Sequence, residues 1–190
     1  GVMCRPFDQT PNYAEFVGEM SFSSFRELGC NRILLVEGVT DVKTVQQFLR
    51  MIRKDHKIVV IPLGGNQLAR GGVEEELGEL KRLGCPVAAL VDSERDRPDG
   101  PESPLRQRFR ETCQKLGYDV CVTERRALEN YFTTAAVQGE MGPANAALDP
   151  FQLLKDHNPS WRKQESWRIA RRMAWEEIKD TDVGKFLLTL

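Results

Sequence analysis

The sequence predicts an α/β fold, a parallel sheet of about four strands flanked by helices with a helical C-terminal region, and three observations predict it. Apolar runs alternate with helical periodicity from residue 32 to residue 123. The runs are continuous rather than alternating, as in strands buried on both faces of a parallel sheet. Three of the four runs close on carboxylates.

Residues 1–31 are mixed and form a lead-in segment, with a short helix expected near 23–28. Residues 32–37 (RILLVE) read as the first strand. Residues 40–54 read as the first helix. Val42, Val45, Leu49 and Ile52 recur on one face, with Phe48 beside them, and Thr40 is the expected N-cap. Residues 57–63 (KIVVIPL) form the second strand, ended by Gly64 and Gly65. Residues 73–83 form the second helix, striped by Val73, Leu77, Leu80 and Leu83 and stopped by Gly84. Residues 86–91 (PVAALV) are the third strand and run into Asp92-Ser93-Glu94 and a polar, proline-rich loop. Residues 105–116 are the third helix, stopped by Gly117, and residues 119–123 the fourth strand, ending at Glu124. Beyond residue 130 the pattern changes. Residues 131–154 are alanine-rich with Gly142-Pro143 and Asp149-Pro150 breaks, and residues 161–179 read as one long helix. The expected organisation is a lead-in (1–31), a catalytic core (32–132), and a helical subdomain (133–190) whose last segment returns to the core.

Composition narrows the function. The chain has 190 residues, 41% hydrophobic and 29% charged, which suits one globular domain with a small appendage. A net charge of −1 excludes a generic basic coat for polyanions, so nucleic-acid binding would need local clusters. No apolar run approaches the roughly 20 residues of a membrane span, and no secretory pattern opens the chain. Gly1 before Val2-Met3 suggests a piece of a longer protein. Five scattered cysteines without a CxxC, and only two histidines, argue against a zinc site. Cys113 and Cys121 fall in core-like patterns. The odd cysteine count favours a reducing, cytoplasmic setting.

The acids are informative by position. In a parallel sheet the carboxyl ends of the strands share one edge, where ligands bind. Glu37 ends the first strand, Asp92 the third with Glu94 two residues on, and Glu124 the fourth. Asp41 lies in the first helical turn, within about 6 Å of helix rise from Glu37. Taken singly, Asp41 is a favourable helix-dipole charge, and Asp92 and Glu94 are a solvated loop start. Gathered on one edge, they form the oxygen-rich set that Mg²⁺ or Mn²⁺ requires. Two such ions about 4 Å apart activate water and stabilise a leaving oxygen in phosphodiester cleavage. Gly38 permits close approach of a phosphate or backbone.

"LLVEG-VTD" followed by "ALVDSE" resembles the TOPRIM fold, a Rossmann-like domain shared by topoisomerases, primases, small maturation nucleases and the OLD (overcoming lysogenization defect) nucleases. The resemblance covers residues 32–132, and "TERRALENYF" (123–132) is similar to the stretch after the last strand in OLD-type domains. It implies a general acid/base or metal-binding role for Glu37, and metal-binding acids at Asp92 and Glu94. Many TOPRIM members read DxD where this chain reads Asp92-Ser93-Glu94, a departure that weakens a topoisomerase or primase reading. Asp41 fits the OLD-like pattern. Glu124 and Glu129 are both downstream metal candidates, and the choice between them stays open. The family implies two Mg²⁺ or Mn²⁺ ions, with Ca²⁺ as a stand-in in crystals. It implies DNA as partner, an N-terminal ABC-type ATPase domain in the full-length protein, and dimerisation through that protein. No G-x-x-x-x-G-K-[ST] loop occurs in this chain, which therefore looks like the C-terminal nuclease region alone. It also implies a late catalytic lysine, for which Lys185 in "DTDVGKFLLTL" is the candidate, against the plainer reading of a solvated charge.

For DNA, Arg125 and Arg126 lie next to the acidic edge. Arg168 and Arg172 share a face of the predicted long helix with Trp175 and Lys179, opposite a stripe of Trp167, Ala170, Ala174 and Ile178. The alternative is a solvated, ion-paired helix. Tyr131 reads as packing rather than as a topoisomerase nucleophile. The expected function is a metal-dependent DNA endonuclease or nickase. The rivals are a catalytically silent TOPRIM module that binds DNA or a partner, and a phospho-receiver-like signalling domain, which normally carries two adjacent acids after its first strand.

Overall fold

A computed structural model describes residues 29–64, 73–157 and 159–190, without the side chains of Val73 and Arg82. The helix expected near 23–28, and most of the lead-in, lie outside the described residues. The predicted α/β architecture is present. In chain order it runs β1 (Arg32–Val36), α1 (Val39–Met51), β2 (Ile58–Pro62), α2 (Val73–Leu80) with a 3₁₀ turn at Lys81–Leu83, β3 (Val87–Val91), α3 (Pro104–Leu116) and β4 (Asp119–Val122). The four strands form one parallel sheet in the order β2-β1-β3-β4. Val36 of β1 lies level with Pro62 and Leu90, and Val91 with Val122, so all four strands end along one edge.

Period-two alternation sorts the strand side chains into two cores. Leu34, Val36, Ala88, Leu90 and Cys121 face one layer, with Val45, Phe48 and Leu49 of α1. Ile33, Leu35, Val87, Ala89 and Val91 face the other, with Leu77 and Leu80 of α2 and Phe109 and Cys113 of α3. Both faces are therefore covered, which is why the strands read as unbroken apolar runs. Burial pushes the thiols of Cys113 and Cys121 up to about 12, as befits packing residues.

The helix starts follow local chemistry. The Asp41 carboxylate accepts from the Gly38 backbone N–H at 2.9 Å, making Gly38 the N-cap of α1 rather than Thr40. An acidic N3 side chain closes the first turn two residues earlier than a hydroxyl at Thr40 would. Ser103 caps α3, accepting from Arg106 N–H at 3.3 Å, and Pro104 opens the helix. Gly117 ends α3 at φ 78, a left-handed position that suits glycine.

After β4 come a 3₁₀ turn at Leu128–Tyr131, α4 (Thr134–Met141), 3₁₀ turns at Leu154–Asp156 and Lys163–Glu165, α5 (Ser166–Ala170), a 3₁₀ turn at Trp175–Glu177 and α6 (Asp182–Thr189). The single long helix expected over 161–179 is thus replaced by short pieces. Its buried residues are Trp161, Ser166, Ile169, Ala170, Met173 and Ile178, while Ala174 is exposed and Trp167 half-buried. On one continuous helix Ile178 would lie opposite Ile169, nine residues and two and a half turns away. Breaking the helix after Ala170 lets both reach the core. This segment packs into the same layer as α1, with Ile169, Ile178, Val183 and Leu187 fully buried there. No helix among the described residues is long and apolar enough to cross a membrane.

Candidate functional site

The strand alternation that builds the two cores continues past the strand ends. Val36 faces the α1 layer, so Glu37, the next residue, falls on the α3 side. Val91 faces the α3 layer, so Asp92 falls on the α1 side. The carboxylates gathered at the edge are therefore divided into two groups, and a cation from the protein sits in each.

On the α1 side, Lys163 Nζ lies 3.2 Å from Asp41 Oδ1, 3.7 Å from Asp92 Oδ2 and 3.7 Å from Glu129 Oε1. All three acids are buried. Asp41 arrives on the first turn of α1 and uses its other oxygen to cap that helix. Asp92 Oδ1 accepts from the Leu128 N–H at 3.0 Å and so fixes the start of the 3₁₀ turn that carries Glu129. Glu129 also accepts from the Ser166 hydroxyl at 3.3 Å. Around that turn Asn130 accepts from the Ala127 N–H and donates to the carbonyls of Asp149 and Gln152. "ALENYF" is thus a scaffold that delivers one carboxylate.

Burial pushes the Asp92 carboxyl well above its ordinary 3.8; Lys163 pulls it down, and Asp41, Glu129 and Glu37 push it further up. Burial likewise raises Glu129 above its ordinary 4.5 against the pull of Lys163. Burial alone would lower the Lys163 ammonium, but Glu129, Asp92 and Asp41 more than offset it, and its pKa stands above 10.5. Lys163 is therefore held in its charged form, and of the three carboxyls burial and mutual repulsion favour a proton most on Asp92.

On the α3 side, Arg106 Nη2 lies 2.7 Å from Glu37 Oε2 and 3.7 Å from Glu94 Oε1. The Arg106 side chain is only 2% exposed, whereas that of Glu94 is 59% exposed. Ser93 is buried, its N–H bound to Thr123 Oγ1 at 2.9 Å and its hydroxyl to the Arg125 carbonyl at 2.7 Å. Glu94 then turns outward in the left-handed region at φ 57, held by its N–H on the Arg126 carbonyl at 2.9 Å. That conformation costs a non-glycine residue roughly 1–2 kcal/mol and aims Glu94 at Arg106 rather than at Lys163.

The remaining candidates are placed as follows. Glu129 joins the buried group; Glu124 is exposed beyond β4, and its N–H donates to Asp182 Oδ2 at 2.8 Å. Lys185 is exposed on α6, and among the described residues no ion pair joins it to these carboxylates. Arg125 stacks over Tyr131 at 4.8 Å and donates to the Asn130 carbonyl at 2.7 Å, and Arg126 donates to the Arg95 carbonyl at 3.0 Å. Arg172 pairs with Glu140 at 3.0 Å, while Arg168 is exposed and lies 5.6 Å from the Trp167 ring, with Arg171 5.9 Å from the same ring. Because the helix ends at Ala170, Arg168, Arg172, Trp175 and Lys179 do not share the helical face expected of them. Tyr131 is buried and donates to Asp182 Oδ1 at 2.6 Å, a packing role.

Sequence reasoning missed Arg106 and Lys163. Arg106 left a signal: it occupies the stripe of Phe109 and Cys113, where α3 buries its face. A lone arginine on an apolar stripe demands a partner. Lys163 left none, because the sequence around it reads as one regular helix with a solvated charged face.

Among the described residues no group of three or more acidic, histidine or cysteine side chains stands arranged as a metal cage. The acids converge on Lys163 and Arg106 instead. The all-oxygen donors of Asp41, Asp92 and Glu129 nevertheless suit a hard divalent ion, and the point they share is already a cation position. No family model matches this chain, and neither the curated proteins nor the solved structures compared with it give a match.

Proposed function

We propose that this chain is a divalent-metal-dependent DNA endonuclease or nickase domain of the OLD-like TOPRIM type, cut from a protein that also carries an ATPase domain. One observation carries the reading: acids from three separate strand-end segments (Glu37 with Asp41, Asp92 with Glu94, and Glu129) meet at the carboxyl edge of a parallel sheet, interleaved with two cations. Asp41, Asp92 and Glu129 are the donors that would hold Mg²⁺ or Mn²⁺. The chemistry a bound ion supplies is water activation and neutralisation of phosphate charge. Glu37, anchored by Arg106, presents a carboxylate to take the proton of the attacking water. Lys163 and Arg106 bring positive charge to the phosphate as negative charge accumulates on it. Arg168 beside Trp167 offers a basic and aromatic contact for the nucleic acid.

A second reading, a catalytically silent DNA- or partner-binding module, is favoured by the fact that a protein cation is already ion-paired within each carboxylate group. Supercoiled plasmid separates the two. Wild type with Mg²⁺ or Mn²⁺ is expected to yield nicked or linear product, while Glu37→Ala, Asp92→Ala and Lys163→Met each lose about 100-fold or more in rate. Intact plasmid with every metal, or variants that cut like wild type, would sink the nuclease reading.

A further inference from the structure

A chain of net charge −1 can hold a polyanion only through a local cluster. Residues 160–175 carry one: five basic residues against a single acid, together with all three tryptophans of the chain. The arginines near the edge divide by what their guanidinium groups already do. Arg125 is held by the Asn130 carbonyl and the Tyr131 ring, Arg126 by the Arg95 carbonyl, and Arg172 by Glu140 at 3.0 Å. Arg168 and Arg171 are exposed, and among the described residues neither has a carboxylate partner. Their guanidinium carbons lie instead over one indole, that of the half-buried Trp167, at 5.6 and 5.9 Å. A long cationic side chain in water samples many rotamers, and an aromatic face that attracts it removes part of that freedom before any ligand arrives. An ion pair would order it too, but would also cancel its charge. Trp167 therefore orders two arginines and leaves both charges uncompensated.

The place of this pair is set by α5. Ser166, Ile169 and Ala170 are its buried face, so Trp167, Arg168 and Arg171 lie on the outward side. Ser166 Oγ reaches Glu129 at the strand edge, and Arg171 follows about 8 Å of helix rise later. The uncompensated arginines thus begin where the acidic edge ends. We infer that Arg168 and Arg171, ordered by Trp167, dock the phosphate backbone of DNA that approaches this edge, each making one phosphate contact. A guanidinium offers phosphate oxygens paired donors, which an ammonium does not. The inference rests on the DNA-directed reading of the edge and deepens it. It names the backbone as what this face recognises, and it removes Arg125, Arg126 and Arg172 from the recognition.

Fluorescence anisotropy of a labelled DNA duplex with the full chain, in EDTA so that neither metal nor cleavage enters, tests this over a series of KCl concentrations. For wild type, log K is expected to fall linearly with log[KCl]. Arg168→Gln and Arg171→Gln are each expected to reduce the steepness of that line by about 0.9, and the double variant by about 1.8, as for one phosphate contact per arginine. Both positions are exposed, so these variants keep the fold, as circular dichroism would check. Trp167→Leu keeps both charges and is expected to keep the slope while weakening affinity about fivefold at fixed salt, the lower end of what two exposed cation–π contacts are worth. Arg172→Gln, whose charge Glu140 already compensates, is expected to bind within about twofold of wild type. An unchanged slope in the double variant, or an equal loss of slope in Arg172→Gln, would overturn the inference, while plasmid cleavage by wild type would still uphold the nuclease reading. The expected slopes beside an uncut plasmid would uphold the inference and overturn the nuclease reading. Wild type that binds no duplex at low salt, whether or not these arginines hold phosphatidylserine vesicles, would overturn both.

Discussion

Asp92 holds the clearest titration signature in the molecule. Burial, Asp41, Glu129 and Glu37 raise its carboxyl far above 3.8, and Lys163 offsets only part of this. The native state therefore keeps a proton that the unfolded chain releases near its ordinary value. Folding takes up that proton, so stability from this residue is full below the unfolded value and declines as pH rises through the raised folded one. Lys163 adds no slope in that window, being protonated in both states until the pH approaches 10.5. Thermal melts of the metal-free protein from acid to neutral pH are expected to show this decline in wild type and to lose it in Asp92→Asn, which carries the neutral form at every pH. Identical profiles for the two proteins would show that Asp92 ionises without cost. On the proposed metal-dependent reading an incoming ion must expel the same proton, so affinity for Mg²⁺ is expected to rise with pH over the same window. None of this was visible in the sequence, where Asp92 was one acid at a strand end. The proton arises from how deeply three acids are buried together, and burial depth is a property of the packed layers.

Among the elements, α1 shows how one side chain serves both local and long-range structure. The sequence offered two readings of Asp41, a helix charge or part of a metal site; the structure uses one carboxylate oxygen to cap the helix and sets the other against the Lys163 ammonium. The two roles are separable. Asp41→Asn keeps an oxygen for the Gly38 N–H, so it is expected to melt close to wild type while losing metal binding. Asp41→Ala loses the cap as well and is expected to cost about 1 kcal/mol more. Equal melting of the two variants would show that the Gly38 hydrogen bond contributes nothing. Strands β1 to β4 and helices α1 to α3 were legible because each is regular and buries an apolar face. The 161–179 segment was misread for the converse reason. Its apolar residues fit a helical stripe approximately, yet Ile178 reaches the core together with Ile169 only if the helix breaks, and the choice between a break and a straight helix depends on the surface it packs against. Lys163 lies on the 3₁₀ turn before α5, inside that segment, so its approach to the acids was hidden by the same ambiguity.

For the whole molecule, the C-terminal segment is what completes the edge, since Lys163 and Ser166 come from it. Its end is pinned at two points. Asp182 accepts from Tyr131 Oη and from the Glu124 N–H, tying the start of α6 to the end of β4. Lys54 Nζ donates to the carbonyls of Leu187 and Leu188, tying the last turn of α6 to the end of α1. Between these ties α6 passes so close to the preceding turn that a Cβ on Gly184 would collide with the Ile178 carbonyl oxygen and lie 2.8 Å from Lys179 Cα. Those are backbone atoms, which cannot rotate aside as a side chain would. Gly184→Ala must therefore push α6 away from Ile178, lifting the buried Val183 and Leu187 from the α1 layer. The expected cost is about 3 kcal/mol, the upper range for overpacking a core, read as a lowered midpoint in urea. The displacement should reach the site too, because Ile178 belongs to the segment that follows Lys163 and shares its layer with Ile169. Mn²⁺ affinity is expected to weaken in Gly184→Ala even though the residue is distant in sequence from every acid. A variant with wild-type stability and affinity would show that α6 merely rests on the core and that the edge is assembled without it.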